Sequence, residues 1–149
     1  MNKEYLNVIV ADHEEGNVVY FKDILKDLKI DIKVQMFWNG EDLMKYLNTE
    51  NNIVPEVLFI AHNLAKKSGL ECLEEIKSDI RLNNMVNVVY SDRFSDQEAD
   101  ELFVKGANVC FNRPAEYKAL KKIITEVITI NWQYHTSGLN KDNFIMKVG

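Results

Sequence analysis

PEVLFIAHNLAKKSGLECLEEIK, residues 55–77, sets a strand, a loop and a helix in direct succession. Val57 to Ala61 is a continuous apolar run of strand length, as expected of a strand buried on both faces. Lys66-Lys67-Ser68-Gly69 reads as a solvated turn. After it, Leu70, Leu73, Ile76 and Ile80 recur at helical spacing and form one apolar stripe. A buried strand followed at once by an amphipathic helix is one half of a parallel crossover.

The same unit recurs on both sides. Strand-like runs lie at Tyr5 to Ala11, Lys33 to Trp38, Val86 to Ser91 and Asn108 to Phe111. Lys33 and Gln35 interrupt the second run, which suits an edge position. Between the runs, Val18, Phe21, Leu25 and Leu28 make a first helical stripe. Asn39, with Glu41 and Asp42 behind it, predicts an N-cap opening a helix that buries Leu43 and Leu47. Ser95 with Glu98 predicts a capping box, and Gly106 the end of that fourth helix. Tyr117, Leu120, Ile124 and Val127 stripe the last helix, which Pro114 precedes. The expectation is an α/β fold: a five-stranded parallel sheet in the flavodoxin-like order 2-1-3-4-5, covered by helices as a three-layer sandwich. In such a sheet the working crevice lies at the carboxyl ends of the strands. That rule singles out Asp12, His13, Ala61, His62, Ser91, Asp92 and Arg113.

Composition limits what the chain does. It has 149 residues, 46% hydrophobic and 28% charged, with a formal net charge of −5, which suits one domain with a full core. Its 18 Lys and Arg are scattered, so no nucleic-acid partner is expected. No apolar run reaches the ~18 residues of a membrane span. MNKEYLNVIV enters a strand with no secretory leader. The expected location is therefore cytoplasmic, with no membrane association. Cys72 and Cys110 have no metal-site spacing and read as core residues. Residues 131–149 show no helical or strand period, yet carry Trp132, Tyr134, Phe144, Ile145 and Met146. They are expected as a C-terminal tail packed on a domain spanning residues 1–130.

VIVADHEEGN near the N-terminus, PEVLFIAHNLAKKSGLECLEEIK, VVYSDR, GANVCFNRP and a final helix followed by NW resemble the receiver domains of bacterial single-domain response regulators. The resemblance runs from about Tyr5 to Trp132. In that family the third strand ends in PDLIFLDLNMPKKSGLECL, whose carboxylate accepts a phosphoryl group from a histidine kinase. An acidic pair after the first strand (ADDD) helps hold Mg²⁺. A hydroxyl after the fourth strand and a Lys after the fifth contact the phosphoryl oxygens, so cations offset the charge of the transferred group.

Carried onto this chain, the resemblance places Ala61 at the phosphoacceptor position, Asp12 and His13 at the acidic pair, Ser91 at the hydroxyl and Arg113 at the Lys. Cys110 falls where the family carries a switch aromatic. A methyl group neither attacks phosphorus nor ligates a metal, and Mg²⁺ prefers oxygen ligands, so neither metal nor cofactor is expected. Arg113 is expected to pair with Asp12, beside His13, locking the crevice in one electrostatic state. The Arg113–Pro114 bond is expected to be cis, as is common at the family's Lys-Pro step. The implied role is a non-enzymatic, stand-alone module of a two-component or phosphorelay system. It would go unphosphorylated and act by contact with a histidine kinase, another regulator or its own copy. The helices around residues 94–105 and 114–130 form the expected partner face. Two alternatives stay open. One is a small-ligand or metal-binding domain, for instance through Asp12, His13 and His62. The other is a true phospho-acceptor using a non-standard residue such as Asp92 or His62.

Overall fold

A computed structural model describes residues 5–137 and 146–148. Its strands are β1 (Leu6–Ala11), β2 (Ile32–Phe37), β3 (Val57–Ala61), β4 (Val86–Ser91), β5 (Val109–Asn112) and β6 (Met146–Val148). The helices are α1 (Glu15–Lys26), α2 (Gly40–Leu47), α3 (Gly69–Lys77), α4 (Asp96–Val104) and α5 (Tyr117–Ser137), with a 3₁₀ turn at Ile80–Leu82. The sheet order is β2-β1-β3-β4-β5-β6, and every neighbouring pair is parallel. The first five strands therefore have the expected order 2-1-3-4-5 with β2 at the edge. β6, which the sequence did not announce, lengthens the sheet beyond β5.

Alternation along the strands makes two separate cores. Leu6, Val8 and Val10, with Val57, Phe59 and Ala61, face α1 and α5 alongside Phe21, Ile24, Leu120 and Ile124. Ile9, Ala11, Leu58, Ile60 and Val89 face Leu43, Leu47, Leu73, Ile76 and Leu102 on α2, α3 and α4. Both faces of β3 are buried along its whole length, so that strand reads as an unbroken apolar run. Each fully buried side chain of this kind is worth roughly 1.5–3 kcal/mol of transfer free energy.

The helix ends follow their local chemistry. Asn39 caps α2 by accepting from Asp42 N. Gly40 then packs so close to the Lys67 carbonyl that a Cβ would stand 2.2 Å from it, which fixes glycine there. Ser95 and Glu98 form the reciprocal box at α4, each bond 3.0 Å. Ser95→Ala removes one of these bonds and is expected to lower stability by about 1 kcal/mol in urea unfolding, with the fold unchanged. α4 gives way at Gly106, whose φ of 114° lies in the left-handed region that glycine tolerates.

Two expectations need correction. Ile80 does not join the α3 stripe: α3 stops at Lys77, and Ile80 opens the 3₁₀ turn with 84% of its surface exposed. The last helix also runs further than the sequence pattern indicates: α5 continues to Ser137. Asn131 is fully buried on that helix, its amide donating to the Val127 carbonyl at 3.0 Å. A polar residue at a core position interrupts the apolar stripe and hides the helix from periodicity. Trp132 and Tyr134 are partly buried against the α1/α5 core. Phe144 and Ile145, also in the expected tail, lie outside the described residues. No helix among the described residues is long and apolar enough to cross a membrane.

Candidate functional site

Strand register builds the crevice. Ala61 pairs with Tyr90, Tyr90 with Phe111, and Ala11 with Ile60, so Asp12 lies one step further along the row of Ala61 and Tyr90. Residues in register on a parallel sheet point to the same face, here the α1/α5 face. Asp12 and Tyr90 stand two strands apart, roughly 10 Å between backbones. The Tyr90 hydroxyl spans that gap and donates to Asp12 Oδ2 at 2.8 Å, with the small Ala61 between them in the row.

Asp12 is 1% exposed. A carboxylate so deep needs donors on both oxygens. Oδ1 accepts from the Glu14 backbone N–H at 2.9 Å, an Asx-type turn that launches α1. Oδ2 accepts from Asn17 Nδ2 at 2.9 Å and from Tyr90. Tyr90 itself packs between Phe21, at 5.0 Å, and Phe111, at 5.6 Å between ring centroids. Burial first, and then the adjacent Asp12 charge, push the Tyr90 phenol well above its ordinary range. It remains a neutral donor throughout the physiological range.

The crevice brings together Asp12, Ala61, Ser91 and Arg113, as well as Asp92 and the unanticipated Tyr90, around a space of only ≈40 Å³. His13 does not line it; the residue is exposed at the start of the β1–α1 loop. Arg113 does not pair with Asp12. Its Nη2 donates to Asp92 Oδ1 at 2.7 Å at the rim, where Asp92 is largely exposed. The reason is that Asp12 already holds its three donors, while pairing at the rim leaves both charges partly hydrated. The Arg113–Pro114 bond is trans, and no peptide bond among the described residues is cis. The ordinary trans preference of about 0.5–1 kcal/mol is not overridden there. His62 turns toward α4, its ring 5.3 Å from that of Phe94. Asp12, His13 and His62 therefore form no metal cluster. Among the described residues no group of three or more His, Cys, Asp or Glu is placed to hold a metal. Cys110 is buried on the opposite face, with the α2–α4 core.

Mg²⁺ does not fit these residues. Both Asp12 oxygens are occupied by protein donors and Ala61 supplies no ligand, while the remaining carboxylates of the lining, Glu14 and Asp92, are exposed at the rim and Asp92 is held by Arg113.

No protein-family model matches the sequence, and no curated protein matches it. Solved structures do. The phosphorylated cyanobacterial phytochrome response regulator RcpA superposes with a TM-score of 0.78 at 21% identity, over 91% of this chain and 97% of that one. The Mn²⁺-bound response regulator Rcp1 gives 0.77 at 21% identity, over 83% and 92%. CheY in a CheX–CheY–BeF3–Mg complex from Borrelia burgdorferi gives 0.67 at 21% identity, over 84% and 88%. The fold is that of a response-regulator receiver. At this level of identity the likeness is one of architecture, and the chemistry rests on the crevice residues themselves.

Proposed function

We propose that the chain is a receiver-like signalling module of a bacterial two-component or phosphorelay system that is not phosphorylated and acts by protein–protein contact in the cytoplasm. The observation that carries this reading is the Tyr90–Asp12 hydrogen bond lying over Ala61. The position at which receivers accept phosphate holds a methyl group. The neighbouring acid has both its oxygens hydrogen-bonded from within the protein, and the crevice beside it is narrow, ≈40 Å³. Phosphoryl transfer needs an in-line nucleophile and cations on the equatorial oxygens. Here the nucleophile is missing and the basic residue, Arg113, is engaged by Asp92. Output then passes through a docked partner: a histidine kinase, another regulator or a second copy. The solved complex of one fold relative, CheY with CheX, supports contact as a mode available to this architecture.

The test is incubation with acetyl phosphate and Mg²⁺ followed by intact mass measurement. The expected result is an unchanged mass. A gain of about 80 Da, located on Asp92, Asp12 or His62, overturns the proposal.

A further inference from the structure

Among the described residues the sheet keeps one open edge. β6 pairs along β5, whereas β2 pairs with β1 alone. Leu6 N donates to the Asp31 carbonyl at 2.9 Å and Asp12 N to the Phe37 carbonyl at 3.1 Å, and these two bonds fix the parity of the ladder. Alternate residues of a strand bond to the same neighbour. Asp31, Lys33, Gln35 and Phe37 therefore bond to β1, while Ile32, Val34 and Met36 turn their N–H and C=O groups outward. Little guards this edge against strand pairing. All six residues of β2 stay in register with β1, with no proline, and Lys33, the only charge in the strand, folds its ammonium over the Tyr5 ring at 4.0 Å.

The open edge matches a second copy of itself. Laid antiparallel about a two-fold axis at Val34, β2 meets β2 with Val34 opposite Val34 and Ile32 opposite Met36. Each such pair exchanges two bonds, so every outward N–H and C=O of the three residues finds a partner. On the α2 face Lys33 then stands opposite Gln35 rather than another lysine, and Asp31 stands opposite Phe37. That last pair brings opposite charges together. Phe37 packs on Tyr46, 5.3 Å between ring centroids, and lines an open groove with Tyr46, Lys45 and Trp38, the last 48% exposed. Asp42, the carboxylate of that groove, accepts from Asn39 Nδ2 at 2.9 Å. Lys45 and Asp31 are both exposed, and neither forms an ion pair among the described residues. Within one chain Asp31 and Phe37 lie roughly 20 Å apart along the strand, so Asp31 reaches the groove only from a second chain. We infer that the chain forms a reversible two-fold dimer by antiparallel β2–β2 pairing, with Asp31 of each copy set against Lys45 of the other.

Sedimentation equilibrium of the full chain from about 10 µM to about 1 mM tests this. A monomer–dimer equilibrium is expected, reversible because so short an edge falls below the roughly 1,200 Å² of a standing complex. Asp31→Lys and Lys45→Glu, both at exposed positions clear of the core, are each expected to weaken the dimer at least about fivefold. The two together are expected to restore it to within about twofold of wild type. In hydrogen exchange the amides of Ile32, Val34 and Met36 are expected to slow as concentration rises. Those of Lys33 and Gln35, already bonded to β1, are expected to stay unchanged. A chain that is monomeric throughout, or a dimer indifferent to the single exchanges or not restored by the double one, overturns the assignment. As an identity for the contact partner, the dimer rests on the function proposed above, yet the two fail separately: a monomeric chain leaves the acetyl phosphate result standing, and a phosphoryl gain leaves the β2 edge as it is.

Discussion

Ala61→Asp is expected to lower folding stability by about 3 kcal/mol at pH 7 in the presence of EDTA, and to remain unlabelled by acetyl phosphate when Mg²⁺ is restored. Ala61 is 2% exposed and lies in the row between Asp12 and Tyr90. A carboxylate there enters a desolvated site beside a carboxylate that already holds three donors. It also intrudes on the path of the Tyr90 ring. Desolvation and like charge both favour the protonated acid, so the new group has a raised native pKa. The sign of the pH dependence follows. Stability is least affected below the unfolded value of about 3.9, and is lost as pH rises from there through the native pKa. Urea unfolding of wild type and variant at pH 5 and pH 7.5 checks this, and the gap is expected to be wider at pH 7.5. An equal gap at both values would make the defect purely steric. An undiminished stability, or a phosphoryl gain, would mean that Tyr90 yields its place and that the crevice is only one substitution from a working receiver.

Much of the fold was legible because burial on both faces writes itself into strand composition. Val57 to Ala61 and Val86 to Ser91 are β3 and β4 to the residue, and the Ser95–Glu98 box is present as spacing foretold. Periodicity failed where a polar residue took a core position or where an apolar one did not. Asn131 broke the α5 stripe while lying wholly buried, and Ile80 extended the α3 stripe while lying in solvent. The crevice was legible by position and not by partner. Strand ends brought Asp12, Ala61, Ser91 and Arg113 together, but opposite charge alone misassigned Arg113, which pairs across the β4–β5 ends with Asp92. In the sequence Tyr90 reads as one more residue of the Val86 to Ser91 strand. The signal was available: a buried tyrosine needs a partner for its hydroxyl, and strand parity puts Tyr90 on the face of Asp12. What one chain's pattern does not contain is the cross-strand register, and register is what sets Ala61 between the two.

Tyr90→Phe is expected to cost about 2 kcal/mol at pH 7, within the range for a hydrogen bond to a charged group. The ring keeps its packing on Phe21 and Phe111, so the loss isolates the hydroxyl from the aromatic cluster. In an Asp12→Asn background the same change is expected to cost about half as much, because the acceptor is then neutral. The alkaline limb gives an independent check. The Tyr90 phenol is raised in the native state by burial and by Asp12. Its contribution is therefore complete below the unfolded value of about 10 and is lost as pH rises above that toward the native pKa. The difference between wild type and Tyr90→Phe is accordingly expected to narrow above about pH 10, while the other tyrosines affect both proteins alike. A Tyr90→Phe variant within about 0.5 kcal/mol of wild type at pH 7 would show that the hydroxyl holds nothing. Asp12 would then be an anion available to a cation after all, and Ala61 alone would have to account for a crevice without phosphoryl chemistry.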